Sequence, residues 1–288
     1  MSAEHPLVFG TAGVPHSARD PSSLSGIARV RALGLDAMEV QFVQRVSMGT
    51  QTANAVQRTA RDHRVRLSAH APYYINLNSR DSAKLAASRE RLLKAARVAA
   101  QCGARNLVFH AGFYHDDAPH VVYERVKAQL QSITEQLRAE GVNVCLRPET
   151  SGRPSQFGSL EEILQLSVEL QSIRPCIDFA HLHAHACGSV NTYAEFGSVL
   201  ARVVEFLDQG ALQDMHMHVQ GIAYSRAGER KHLILAESDL RYEELVHTWV
   251  DWGVGGTAIC ESPNLEEDAL LLQQAYHRFV TEQDRPRG

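Results

Sequence analysis

Short apolar or β-branched runs recur along the chain, and stretches with helical patterning fill the intervals between them. Alternating strands and helices predict a parallel sheet, and eight such units without a linker predict a closed barrel rather than an open sheet. We therefore expect an α/β protein with a single (β/α)8 TIM-barrel domain over residues 1–283 and a disordered tail at 284–288. The eight runs are Leu7–Gly10, Ala37–Phe42, Val65–His70, Asn106–His110, Val142–Glu149, Pro175–Asp178, Met215–Val219 and Thr257–Glu261.

Helix start and stop signals lie between these runs. Ser82–Gln101 is rich in Ala, Leu, Arg and Lys, with Ser82 as a candidate N-cap and Gly103 just beyond its end. Ser159–Glu162 and Thr192–Glu195 have the capping-box pattern ahead of apolar residues. These signals predict the crossover helices that a parallel barrel requires.

Composition narrows the class of protein without selecting a function. Of the 288 residues, 44% are hydrophobic and 22% charged, and the net charge is −4. An acidic balance does not predict nucleic-acid binding, so an anionic ligand would need a local basic patch or metal ions. The five cysteines form no C-x-x-C pair, and neither a signal peptide nor a membrane-spanning stretch is evident. We expect a reduced, cytoplasmic protein with no membrane contact and no obligate protein partner.

Metal-binding side chains stand at the ends of six consecutive runs. In a barrel these carboxyl ends converge on one face, where the active sites of this fold lie. Imidazoles together with carboxylates suit Zn²⁺, Mn²⁺ or Fe²⁺. There are more donors than one ion needs, which favours two or three clustered ions. The residues are His70, His110, Glu149, Asp178 with His181, His216 with His218, and Glu261.

Two neighbouring segments add further donors. Glu229 and His232 follow the seventh run in a predicted loop. His183 and His185 follow His181 at alternate positions, so all three cannot face one ion. One of the two is expected to orient a ligand or to bind phosphate rather than to bind metal.

Several motifs in the chain resemble those of the endonuclease IV family, zinc-dependent apurinic/apyrimidinic endonucleases of base-excision repair. This family belongs to the wider xylose-isomerase-like superfamily of TIM barrels. The similarity extends from the second predicted strand to the eighth. The motifs are His70-Ala-Pro-Tyr-Tyr-Ile-Asn-Leu-Asn78, Phe109-His-Ala-Gly112, Pro148-Glu-Thr-Ser-Gly152, Asp178-Phe-Ala-His181 and Glu261-Ser-Pro263.

This resemblance implies three zinc ions and hydrolysis of the DNA phosphodiester 5′ to an abasic site. Glu149, Asp178 and Glu261 would be the catalytic carboxylates, and Mn²⁺ is the alternative metal. The first ion would be held by His70, His110 and Glu149, the second by Glu149, Asp178, His216 and Glu261, and the third by His181 and His232.

The chain departs from the family pattern at three places. The strand-seven motif reads His216-Met-His-Val-Gln220, as in the archaeal-type branch, so His218 is an alternative ligand to His216. The following loop carries Glu229 one residue further from His232 than the family's Asp-x-His pair, which makes Glu229 an additional candidate. The loop after the second strand offers Arg45 without the usual aromatic neighbours.

The resemblance also implies contacts with damaged double-stranded DNA. Tyr73 would insert beside the lesion, as aromatic and apolar wedges do in other complexes. Candidate contacts to the DNA are Tyr73, Asn76, Arg45, Arg230 and Lys231, and further candidate phosphate contacts are Arg80, Arg147, Arg153 and Arg226.

Two other functions remain open from the sequence. A sugar isomerase or epimerase on the same barrel needs one divalent metal, and Glu149, Asp178, His216 and Glu261 would supply its ligands. His70, His110, His181 and His232 would then have no metal to bind, which favours the hydrolase. The third possibility is a metal-binding barrel without catalytic activity.

Overall fold

The structure, a computed structural model, describes residues 7–283, so the tail expected at 284–288 lies outside the described residues. A strand overlaps each of the eight apolar runs, and two further strands lie between the seventh and eighth runs. The strands are β1 (Leu7–Ala12), β2 (Ala37–Gln41), β3 (Arg66–His70), β4 (Asn106–Phe109), β5 (Cys145–Pro148), β6 (Cys176–Asp178), β7 (Met215–Val219), β8 (Gly221–Ser225), β9 (Gly228–Leu233) and β10 (Gly256–Cys260).

Eight parallel strands form the barrel, in the order β5-β4-β3-β2-β1-β10-β7-β6. The remaining seam, between β5 and β6, is joined by parallel bridges from Leu146 to Ile173 and from Glu149 to Cys176. Asp178 N also donates to Thr150 Oγ1 across this seam, at 2.8 Å. The predicted TIM barrel is therefore confirmed.

Helices surround the barrel as the sequence predicts, with small differences at their ends. Asp81, not Ser82, is the N-cap of α3, because its side chain accepts from Ala83 N and Lys84 N. Both predicted capping boxes are present, at the starts of α5 and α7. The helices are α1 (Ser23–Ala32), α2 (Thr50–His63), α3 (Ser82–Gln101), α4 (Pro119–Ala139), α5 (Leu160–Glu169), α6 (Phe179–His185), α7 (Tyr193–Leu207), α8 (Tyr242–Asp251) and α9 (Glu266–Gln283).

Between residues 7 and 283, no helix has both the length and the apolar character needed to cross a membrane.

Two segments that follow barrel strands form regular secondary structure. The histidine-rich stretch after β6 is the short helix α6, in which Asp178 is the N-cap and accepts from His181 N at 2.7 Å. The segment after β7 is an antiparallel hairpin of β8 and β9 rather than an irregular loop. Both segments lie at the carboxyl end of the barrel and carry candidate ligands.

The capping box of α5 stabilises the segment that follows Glu149, and Ser159→Ala should weaken it. Ser159 Oγ accepts from Glu162 N at 3.3 Å, while Glu162 Oε2 accepts from Ser159 N at 3.0 Å. We expect a loss of about 1 kcal/mol in the free energy of unfolding, measured by urea denaturation.

Ser198→Ala is the matched control for this substitution, since Ser198 is an exposed helix residue whose hydroxyl donates only to Ala194 O. Its effect should stay within about 0.5 kcal/mol. Equal losses for the two variants would contradict a specific role for the cap.

Candidate metal centre

The carboxylate of Glu149 lies at the middle of the candidate site. The residue follows β5 directly, at the carboxyl end of the barrel, and is 1% exposed. Glu149 Oε2 lies 3.2 Å from His70 Nε2 and 3.3 Å from His110 Nε2. Glu149 Oε1 lies 3.1 Å from His218 Nδ1 and 3.3 Å from His181 Nδ1. The two oxygens of one carboxylate therefore face two different sets of imidazoles.

Three groups of possible metal ligands adjoin one another here. In each group, one donor atom per residue lies within 4.8 Å of every other. We call them the outer, middle and hairpin groups. The outer group is His70, His110 and Glu149; the middle group is Glu149, Asp178, His218 and Glu261; and the hairpin group is His181, Glu229 and His232.

The middle group contains His218 where the resemblance implied His216. Both side chains point into the barrel, because residues two apart on a strand share a face. They differ in depth, since Asp178 pairs in register with His218, whereas Cys176 pairs with His216. His216 therefore lies one layer deeper, where its Nε2 is 3.0 Å from Glu39 Oε2.

The deeper layer also contains a cysteine close to both histidines. Donor atoms of Cys176, His216 and His218 lie within 4.8 Å of one another. Burial raises the pKa of the Cys176 thiol, so this cysteine is held in its neutral form.

The hairpin group is assembled from α6 and the β8–β9 hairpin. His181 Nε2 lies 3.7 Å from Glu229 Oε2, and His232 Nε2 lies 3.6 Å from Glu229 Oε1. The hairpin approaches closely because Glu229 N donates to Gly152 O at 2.8 Å. A Cβ at Gly152 would lie 2.8 Å from Glu229 Cβ, and one at Gly228 would lie 2.2 Å from Gly152 O. Glycine at both positions thus allows Glu229 to reach the cluster.

Asp178 is further held by an amide and by its own helix. Gln220 Nε2 donates to Asp178 Oδ2 at 2.8 Å, and His181 N donates to Asp178 Oδ1. His183 and His185 turn away from the cluster on α6. His183 Nδ1 lies 3.0 Å from Val190 O, and His185 Nδ1 lies 3.2 Å from Ser151 O.

Without ions, protons on the imidazoles balance the buried carboxylates. Burial alone would raise the pKa of Glu149, but His110, His218 and His181 outweigh it and lower that pKa well below its usual value. Burial would lower the pKa of His70 and His181, but Glu149 raises the first to about 9, and Asp178 with Glu149 raises the second to about 10. Burial raises the pKa of Asp178 to about 6. The negative charge of the cluster therefore requires cations of some kind.

A cavity of about 410 Å³ opens directly above the outer and hairpin groups. Besides the ligand candidates, its lining includes Tyr73, Phe113, Arg153 and Gln156. Tyr73 is 57% exposed and its ring lies 5.9 Å from that of His70. The cavity thus places an aromatic side chain and a guanidinium beside the same cluster.

The other predicted DNA contacts occupy varied positions. Arg45 is exposed on the loop after β2, and Arg230 and Lys231 are exposed on β9. Asn76 Nδ2 lies 3.1 Å from His115 Nε2, and its Oδ1 accepts from Asn78 N. Arg147 cannot contact a substrate phosphate at this site, because it is buried at the opposite end of the barrel, with Nη2 2.9 Å from Asp214 Oδ2.

Sequence reasoning missed Glu39, Phe113 and Gln156. A signal for Glu39 was present, since it is a carboxylate between two apolar residues of a strand, whose sequence is AMEVQ. Phe113 and Gln156 gave no signal, because they reach the cavity from loops whose course follows from tertiary packing.

The residues present fit divalent metal ions. Every donor of the outer, middle and hairpin groups is an imidazole nitrogen or a carboxylate oxygen, which is the set preferred by Zn²⁺ and also accepted by Mn²⁺. The ring nitrogen His110 Nδ1 and the amide oxygen Gln220 Oε1 are buried without a hydrogen-bond partner at the edge of this cluster.

Comparison with known proteins places this barrel among its relatives. The family model described as "Xylose isomerase-like TIM barrel" matches residues 27–278. The chain belongs to this family. Members of the xylose isomerase-like family share the barrel seen here, and the match covers the strands from β2 to β10.

Two relatives in sequence are informative. An uncharacterized protein of Methanocaldococcus jannaschii is 44% identical over 279 residues, covering 97% of this chain and 100% of that protein. A protein of Mesomycoplasma hyopneumoniae strain 7448, named probable endonuclease 4, is 34% identical over 117 residues, covering 39% of this chain and 40% of its own length.

Solved structures with the same fold include an endonuclease and an epimerase-like protein. Endonuclease IV from Thermus thermophilus superposes with a TM-score of 0.71 at 18% identity, covering 95% of this chain and 99% of its own. A D-tagatose 3-epimerase-like protein superposes with a TM-score of 0.68 at 17% identity, covering 96% and 100%. At such identities the likeness establishes the fold alone.

Gly152→Ala should disturb the hairpin group alone, because the added methyl group would contact Glu229 and His181. We expect the purified variant to hold less zinc than the wild type by elemental analysis, with its fold retained by circular dichroism. Gly49→Ala is the control, since a Cβ there meets open space. An unchanged zinc content in Gly152→Ala would contradict the assignment.

Metal binding should release protons at neutral pH. His70 and His181 have pKa values raised to about 9 and about 10, so both are protonated at pH 7, whereas a ligand imidazole must be neutral. Protons therefore compete with the metal, and apparent zinc affinity should increase as pH rises from 7 towards 9. A pH indicator in weakly buffered solution would detect the release, which should be smaller in His70→Ala.

Proposed function

We propose that this chain is a metal-dependent endodeoxyribonuclease of the endonuclease IV type, which hydrolyses the DNA phosphodiester 5′ to an abasic site. The observation that carries the proposal is the contiguity of the outer, middle and hairpin groups around one carboxylate. Clusters of two or more ions a few ångströms apart are used by phosphodiesterases to stabilise both the attacking and the leaving oxygen. A reaction with one ion would need only one of these groups.

The geometry of the three groups supports the ligand assignment. Glu149 would be shared by the outer and middle groups, and Glu229 would complete the hairpin group. Bound ions would activate water and neutralise charge on the phosphate and the departing 3′-oxygen. The full set is His70, His110 and Glu149; Glu149, Asp178, His218 and Glu261; and His181, Glu229 and His232.

The chain's own side chains would prepare the substrate. Glu261 has a partly exposed side chain, and its Oε1 lies 3.5 Å from His218 Nδ1, so it can orient a water or accept its proton. Tyr73 stands at the cavity rim, where it can insert beside an unstacked sugar. Arg153, 3.8 Å from Glu229, faces the same cavity and can bind a phosphate oxygen. Arg45, Arg230 and Lys231 supply exposed positive charge for flanking phosphates.

A second candidate is a sugar isomerase or epimerase that uses one divalent metal. The middle group alone contains two glutamates, an aspartate and a histidine, which suffices for that chemistry. The superposition on a D-tagatose 3-epimerase-like protein is compatible with it. The outer and hairpin groups favour the nuclease, because they would have no ion to hold in a one-metal enzyme.

Metal content and nicking of abasic DNA test the proposal together. Purified protein should contain two or three metal ions per chain and nick a duplex carrying a tetrahydrofuran abasic mimic, with activity lost in chelator. His110→Ala should lower nicking by more than about 100-fold, since even changes outside the ligand set commonly cost 10- to 100-fold. His120→Ala is the control, because His120 is exposed on α4 and outside all three groups.

The same measurements separate the alternatives. One metal per chain, no nicking, and ketose epimerisation that survives His110→Ala would establish the isomerase instead. Bound metal without either activity would indicate a non-catalytic metal-binding barrel.

A further inference from the structure

Beneath the middle group lies a buried polar layer that adjoins the proposed metal centre through His218. Its centre is Glu39, which is 0% exposed on β2. The neighbouring strands contribute Ser68 from β3 and His216 and His218 from β7. A carboxylate in the interior of a barrel is costly unless it is paired and hydrogen-bonded, so the contacts of Glu39 indicate what it does.

Both oxygens of Glu39 have polar neighbours. Glu39 Oε2 accepts from Ser68 Oγ at 2.8 Å and lies 3.0 Å from His216 Nε2. Glu39 Oε1 accepts from Gln41 Nε2 at 3.2 Å and lies 3.1 Å from His218 Nε2. The carboxylate is thereby held in one orientation by residues from β2, β3 and β7.

The imidazole of His218 connects this layer to the metal centre. Its Nδ1 faces the middle group, 3.1 Å from Glu149 Oε1 and 3.5 Å from Glu261 Oε1. Its Nε2 faces the opposite direction, towards the carboxylate of Glu39. That contact is close but departs from ideal hydrogen-bond alignment. One ring nitrogen thus faces the ion position and the other faces a fixed acceptor.

We propose that Glu39 is a positioning residue of the metal centre. By accepting the Nε2 proton of His218, it selects the tautomer whose Nδ1 lone pair faces the middle group. Carboxylates that bind the distal nitrogen of a ligand histidine orient the ring and increase its basicity. His216 and Ser68 hold Glu39 in turn, which explains why the deeper histidine faces a carboxylate instead of an ion. The inference rests on the proposed metal centre.

Zinc affinity of the whole chain tests this role directly. Metal-free protein is titrated with Zn²⁺ in competition with a chromophoric chelator, and with Co²⁺ while its visible absorption is recorded. In Glu39→Gln, one of the bound ions should lose 10- to 100-fold in affinity while the others remain, and the Co²⁺ spectrum should change. These readouts require no activity, and a purely structural role would not alter them in folded protein.

Asp239→Asn is the matched control. Asp239 Oδ1 lies 3.1 Å from Nε2 of the buried His183, which faces none of the three groups, so zinc affinity should not change. If Glu39→Gln does not fold, Glu39→Asp retains the charge but withdraws it from His218 by one methylene. It should still bind one ion more weakly than the wild type.

If the folded Glu39 variant binds Zn²⁺ as tightly as the wild type does, the positioning role is overturned, even if the melting temperature of the variant is lower. That result would leave the metal centre itself intact. A wild-type protein that binds no Zn²⁺ or Co²⁺ would instead overturn the proposed function and this inference together, so the two failures are distinguishable.

Discussion

The structure around the candidate site depends on the burial of one carboxylate. Glu149 is almost inaccessible to solvent, yet its charge is retained because four imidazoles from separate segments face its two oxygens. Removing a charge from water is unfavourable unless opposite charge lies close by. Positive charge must therefore be present at fixed distances, either as imidazolium groups or as bound metal ions. It is supplied from the strand ends, from the first turn of α6 and from β7 inside the barrel.

Much of the architecture could be predicted from periodicity. Apolar runs separated by amphipathic stretches allow few arrangements other than a parallel barrel, and that fold brings all carboxyl ends of its strands to one face. For this reason His70, His110, Glu149, Asp178 and Glu261 could be grouped without knowing any distance. Their residue types and their positions at strand ends were enough to predict that they cluster.

The depth of a side chain in the barrel and its tertiary contacts could not be predicted from periodicity. His216 and His218 share a strand face, so choosing between them requires the register of β7 against β6. The hairpin was missed because the sequence gives it only weak strand patterning, and its position depends on close backbone contact at Gly152. Glu39 lies far from His218 in sequence, and only the closed barrel brings it beneath that residue.

The hairpin of β8 and β9 has a consequence for how such a barrel can diversify. Its strands pair with each other and not with the barrel sheet, yet it contributes two of the three members of its ligand group. Loss or replacement of this one hairpin would leave the eight-stranded scaffold and the deeper ligands in place. A change in the number of ions, and hence in reaction class, would then require the remodelling of a single exchangeable segment rather than a new fold.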